Sequence, residues 1–159
     1  MKNCEIITAN EIETMHFAKS ISSCFKNGDV ILLDGTLGVG KTQFVKGFCS
    51  GYDYNGDVTS PTFTLANIYE TDFKKIIHLD LYRIDSPREF IELGIMDYFD
   101  ESIVLIEWGN KFSGLFDNYF SISIENNFDE PTKRKFTLSS QSDHYNTIID
   151  DLNAKANLL

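Results

Sequence analysis

Residues 35–42 read Gly-Thr-Leu-Gly-Val-Gly-Lys-Thr, which is a glycine, four residues of any kind, a second glycine, a lysine and a hydroxyl residue. A loop that wraps a phosphate chain turns its backbone N–H groups inward and brings main chain close to ligand. Gly35, Gly38 and Gly40 therefore stand where side chains would obstruct. The pattern also demands a setting: a buried strand before the loop and a helix opening behind it, whose unpaired N–H groups and positive dipole end face the same phosphates. Val30-Ile31-Leu32-Leu33 is an apolar run suited to a buried parallel strand, and Phe44, Val45 and Phe48 give Gln43 to Phe48 a helical stripe. The stretch predicts an α/β fold of the P-loop NTPase kind, with a mainly parallel central sheet flanked by helices. A nucleoside triphosphate would lie along Gly35, Thr36, Leu37, Gly38, Val39 and Gly40. Lys41 would reach its outer phosphates and Thr42 would take one position on a magnesium ion.

Further along, Ser102-Ile103-Val104-Leu105-Ile106-Glu107 is an apolar strand ending in a carboxylate. Such an acid holds magnesium directly or through water, or orients the attacking water, so it pairs with the loop as a second phosphate-site motif. Lys75 to Leu81 reads as another strand with His78 and Asp80 on one face, Asp80 near the carboxyl edge where open parallel sheets bind ligands. Between loop helix and strand lies Val58 to Leu65. Pro61 interrupts any ladder there, so a loop is expected, with a strand from about Thr62 or Phe63 to Tyr69. Its hydroxyls Thr59, Ser60, Thr62 and Thr64 suit a segment that senses the last phosphate.

The flanks complete the layout. Lys2 to Thr8 suits an edge strand, and Thr8 with Glu11 has capping-box spacing for a helix running to about Lys26 on Met15, Ala18, Ile21 and Phe25. Ser86-Pro87-Arg88-Glu89 is a second capping box, for a short helix closed by Gly94. Tyr119 to Ile124 and Arg134 to Ser139 read as a C-terminal β-hairpin, and Tyr145, Ile148, Ile149 and Leu152 as one face of a terminal helix.

A length of 159 residues suits one domain, 1–159, with a core of its own. The formal charge of −10 leaves Lys133-Arg134-Lys135 as the one dense basic cluster, which argues against independent binding to nucleic acid. Three cysteines, Cys4, Cys24 and Cys49, have no metal-ligand spacing, and Cys24 and Cys49 fall on apolar helical positions that suggest packing thiols. No run approaches the roughly 20 apolar residues that span a bilayer, so a reduced, cytoplasmic protein is expected.

Among nucleotide enzymes, a guanine-specific protein calls for Asn-Lys-any-Asp, and Asn110-Lys111-Phe112-Ser113 fails at its last position. A small-molecule kinase stays open, although Arg83, Arg88 and Arg134 are few arginines for clamping two phosphorylated substrates. A nucleotide-gated adaptor, in which hydrolysis is incidental, is the non-enzymatic alternative.

Gly35 to Thr42, Ser60-Pro-Thr-Phe-Thr64, His78-Leu-Asp-Leu-Tyr-Arg83 and Leu105-Ile-Glu-Trp108, in this order, together resemble the bacterial TsaE family, formerly YjeE. That family is the ATPase component of the machinery making threonylcarbamoyladenosine in tRNA. The resemblance implies that Lys41 and Thr42 hold the phosphates of ATP and Mg2+, that Glu107 completes the metal site, and that Asp80 positions or activates water. It implies a nucleotide-sensing switch at Ser60 to Thr64, including Thr62, with Trp108 beside the site and Thr8 and Arg134 bordering the nucleotide. It also implies a heteromeric complex with the TsaD and TsaB proteins, TsaC supplying the activated intermediate and tRNA being reached only through the complex. The chain departs from the family at Gly109-Asn110, where Pro and an acid are frequent, and at Thr36, where an acid is common.

Overall fold

The computed structural model describes residues 1–127 and 129–156. Its elements run β1 (Lys2–Thr8), α1 (Glu11–Ser22), β2 (Val30–Asp34), α2 (Lys41–Ser50), β3 (Ala66–Glu70), β4 (Lys75–Asp80) and α3 (Pro87–Glu92). They continue as β5 (Ile103–Glu107), β6 (Phe120–Asn127), β7 (Glu130–Ser140) and α4 (Asp143–Ala156), with 3-10 turns at Ile95–Glu101 and Asn110–Leu115. The strands form a seven-stranded sheet in the order β1-β7-β6-β2-β5-β4-β3. The four inner strands β6, β2, β5 and β4 are parallel, as the strand–loop–helix signal predicts. β3 joins one margin antiparallel, while the β6–β7 hairpin and β1 extend the other.

Alternation along the strands splits the core in two. Ile31, Leu33, Leu105, Phe120 and Ile122 face the layer that includes α1, α2 and α4, whereas Leu32, Ile77, Leu79, Val104 and Ile106 face α3 and the 3-10 turns. β2 and β5 are buried on both faces, which is why they read as unbroken apolar runs. Close approach of α1 to α2 depends on Gly47: a Cβ there would sit 2.5 Å from the Met15 carbonyl oxygen, forcing the helices apart. Among the described residues no helix is long and apolar enough to cross a membrane.

Four local expectations are corrected. The cap of α1 is Asn10, whose side chain accepts from Glu13 N at 3.0 Å, with Glu13 Oε2 accepting from Ala9 N. Thr8 does not cap because its backbone belongs to the ladder opposite Arg134, and its buried hydroxyl bonds Thr14 Oγ1 at 2.8 Å. α1 stops at Ser22 rather than near Lys26; single turns carry Phe25 into the core, and Asp29 Oδ2 accepts from Lys26 N. Cys24, lying past that end, is exposed, whereas Cys49 is buried as expected. β3 begins at Ala66, later than expected, because Leu65 N donates to Pro61 O and Leu65 turns left-handed at φ 66°.

Burial also sets an alkaline limit. It pushes the Cys49 thiol from 9.0 up to about 12, and the Tyr52 hydroxyl from 10.0 up to about 12, where nearby Cys24 and Asp29 add repulsion. The unfolded chain releases these protons at their ordinary values while the folded chain keeps them. Stability therefore falls as pH rises from 9.0 towards 12, by about 1.4 kcal/mol per pH unit for each group that has ionised only when unfolded. Urea unfolding followed from neutral to strongly alkaline pH is expected to show this decline, with Cys49→Ala shallower; equal slopes would remove the thiol from the account.

Candidate nucleotide site

β2 delivers the chain to Gly35, whose φ of 148° and position against β6 exclude a side chain: a Cβ would lie 2.6 Å from Ile124 O. The loop turns through Val39 N donating to Thr36 O, and Gly40, at φ 112°, starts α2 with no side-chain cap. The first N–H groups of α2 are therefore free to meet an anion. Lys41 is 5% exposed, and its Nζ donates to the carbonyls of Gly35 (2.6 Å) and Thr36 (3.1 Å) while lying 4.5 Å from the centre of the Trp108 ring. Desolvation lowers its pKa below the ordinary 10.5, against the pull of Glu107, Asp80 and Asp34. An ammonium held at such a cost gains most from a polyanion in the cleft.

The two acids are direct neighbours, Asp80 on β4 paired with Glu107 on β5. Thr42 Oγ1 donates to Glu107 Oε1 at 3.4 Å, and His78 Nε2 meets the same oxygen at 2.8 Å. Since a carboxylate only accepts, this nitrogen carries the hydrogen. Asp80 Oδ2 accepts from Thr62 Oγ1 at 2.8 Å and Oδ1 from Tyr82 N at 2.9 Å; Ser60 and Thr62 share a hydroxyl bond of 2.7 Å. Trp108 is held left-handed at φ 61°, a conformation costing about 1–3 kcal/mol for such a residue, with its N–H donating to Leu33 O.

These groups meet in a cleft of about 350 Å³, where the loop joins Lys41, Thr42, Thr62, Asp80, Glu107 and Trp108. Arg134 also lines the cleft and braces the loop, Nε donating to Val39 O at 2.6 Å and Nη1 to the carbonyls of Pro131 and Lys133. Its neighbours in the basic cluster are paired, Lys133 with Glu130 and Lys135 with Glu5. Thr8 is not on the cleft wall; Thr14, to which it bonds, is, together with Glu11 and Thr132. Thr14 and Thr132 carry no motif and Glu11 was read only as half of a capping box; the proximity of the first turn of α1 and of β7 to the loop is what reveals all three. Among the described residues no group of three or more His, Cys, Asp or Glu could hold a metal. The donor set is instead one hydroxyl and one carboxylate beside a phosphate cradle, which fits a magnesium ion that keeps most of its water.

Comparison with known proteins agrees with this geometry. The sequence model of the family described as threonylcarbamoyl adenosine biosynthesis protein TsaE matches residues 8–136. The tRNA threonylcarbamoyladenosine biosynthesis protein TsaE of Bacillus subtilis is 32% identical over 160 residues, covering 99% of each chain. Its namesake in Rickettsia bellii is 42% identical over 112 residues, covering 68% of this chain and 76% of its own. The crystal structure of Bacillus subtilis YdiB superposes with a TM-score of 0.81 at 28% identity, covering 98% of this chain and 97% of that one. Sequence, sheet order and cleft lead to one assignment: this chain belongs to the TsaE family.

Proposed function

We propose that residues 1–159 work as one cytoplasmic P-loop ATPase that binds ATP with Mg2+ and hydrolyses it to ADP and phosphate in support of threonylcarbamoyladenosine formation in tRNA. The observation that carries the reading is the convergence of the loop lysine and Thr42 with two paired acids, Asp80 and Glu107, in one cleft. Lys41 would exchange its loop carbonyls for phosphate oxygens, and the α2 N–H groups would hold the same anion. Thr42 and Glu107 would hold the ion, which when bound offsets charge on the phosphates. Asp80, already accepting from Thr62, would orient the attacking water as the 59–65 loop closes.

The kinase alternative loses ground because its arginines are engaged: Arg134 on loop carbonyls, Arg88 on Glu92, and Arg83 over the Phe63 ring. Partner dependence on TsaD and TsaB is supported by family membership and by Leu37 and Phe63, 89% and 83% exposed, beside the cleft and on its loop. With a net charge of −10, the chain would leave tRNA to its partners. The test is phosphate release from ATP by the purified chain, alone and with TsaD and TsaB added. Stimulation by the partners is expected; a phosphorylated small hydroxyl compound as product would make it a kinase, and nucleotide-dependent complex formation without turnover would make it an adaptor.

A further inference from the structure

Both acids of the cleft are tied to the 59–65 loop, by different routes. Asp80 reaches it directly through Thr62. Glu107 reaches it through two buried side chains behind the cleft wall: His78, fully buried, and Tyr69, 4% exposed, neither of which lines the cleft. With the imidazole neutral and Nε2–H on Glu107, Nδ1 is an acceptor, 3.1 Å from the Tyr69 hydroxyl. That hydroxyl also lies 3.3 Å from the carbonyl oxygen of Thr59, one residue before Ser60. It has one hydrogen and two acceptors. Asn67 Nδ2 donates to both Thr59 O (3.1 Å) and the Tyr69 oxygen (3.4 Å), so Thr59 O keeps a donor when the hydroxyl turns to His78, whereas a turn to Thr59 takes from Nδ1 its one donor among the described residues.

We propose that Tyr69 is a positioning residue that couples the Glu107 carboxylate to the 59–65 loop through His78, the coupling being the choice its hydroxyl hydrogen makes between His78 Nδ1 and Thr59 O. Bonded to Nδ1, the hydroxyl fixes the imidazole and aims Nε2–H at Glu107. Bonded to Thr59 O, it anchors the loop and frees the imidazole to follow the carboxylate. A change of partner at Glu107 is thereby passed to a loop to which, among the described residues, its carboxylate makes no hydrogen bond of its own. The inference rests on the cleft being an ATP site and deepens that reading by naming how its state reaches the loop.

The test uses the full chain, with ADP or ATP and Mg2+ as probes. Hydrogen exchange of the 57–66 backbone reads the loop, fluorescence of Trp108, the one tryptophan of the chain, reads nucleotide affinity, and phosphate release reads turnover. Tyr69→Phe removes only the hydroxyl. It is expected to abolish the slowing of loop exchange that Mg2+ adds over nucleotide alone, to leave affinity unchanged, and to lower kcat about fivefold, the worth of one net hydrogen bond. His78→Gln keeps a donor towards Glu107 and loses the ring acceptor, so it is expected to match; the double variant falls no further than the weaker single. A wild-type loop response in Tyr69→Phe, or losses that multiply in the double variant, would overturn the coupling. A wild-type chain that fails to bind ATP would bring down the reading of the cleft as well, whereas a wild-type chain that hydrolyses ATP alongside an unaltered Tyr69→Phe would bring down the coupling alone.

Discussion

Lys41→Ala is expected to lower phosphate release by about 10²–10³-fold, the usual loss when one donor to developing oxyanion charge is removed from a dry site, while the chain stays folded. The two effects separate because the lysine is poorly provided for without a ligand. The residue is 5% exposed, the near partners of its ammonium are two carbonyls and an aromatic ring, and desolvation is the largest influence on its titration. Losing it forfeits two hydrogen bonds of about 1 kcal/mol net each, and relieves a buried cation of its desolvation. Urea midpoints of wild type and variant should therefore lie close together while turnover differs by orders of magnitude. Unimpaired hydrolysis by a folded Lys41→Ala chain would remove the glycine loop and its lysine as the seat of the reaction.

The second large effect belongs to Glu107, and here activity and stability move together or apart according to the substitution. Glu107→Ala strips the acceptor from His78 Nε2, a donor with no solvent to turn to, and is expected to cost about 1–3 kcal/mol of stability besides the activity. Glu107→Gln keeps an oxygen for His78 but removes the charge that offsets Lys41 and would hold magnesium. It is expected to unfold near the wild-type midpoint yet to lose turnover about as fully as Glu107→Ala, by about 10²-fold or more. Thermal unfolding and phosphate release measured on both variants check this; a glutamine variant with wild-type turnover would show that the carboxylate charge has no part in the reaction.

The central sheet was legible because its signals are local and redundant. Val30 to Leu33 and Ile103 to Ile106 are apolar on both faces, and the glycine loop requires a strand before it and a helix after it. The acids were legible as strand ends, and the structure adds that they are register partners. What stayed hidden depends on distant partners. The Thr8 capping signal lost to Asn10 because Thr8 answers to a ladder with Arg134, a pairing nothing local encodes. The start of β3 was misjudged because Leu65 adopts a backbone conformation that its side chain disfavours. The sequence set His78 on one strand face with Asp80 and named no partner for it; only the sheet order, setting β3 and β5 on either side of β4, brings Tyr69 and Glu107 to its two nitrogens.

β1 and β7, from nearly opposite ends of the sequence, are zipped together from Lys2↔Ser140 to Thr8↔Arg134. During synthesis the first strand emerges long before its partner and must wait, its ladder groups on water, until the hairpin is made. The parallel strands and the glycine loop can assemble in the interval, but the loop's brace, Arg134 on the Val39 carbonyl, is the contribution of that last-arriving strand. Distant pairing of this kind is slow to form. A nascent chain can thus hold its strand–loop–helix before the strand that braces the loop is available, which makes the cleft one of the last parts of the fold to be completed.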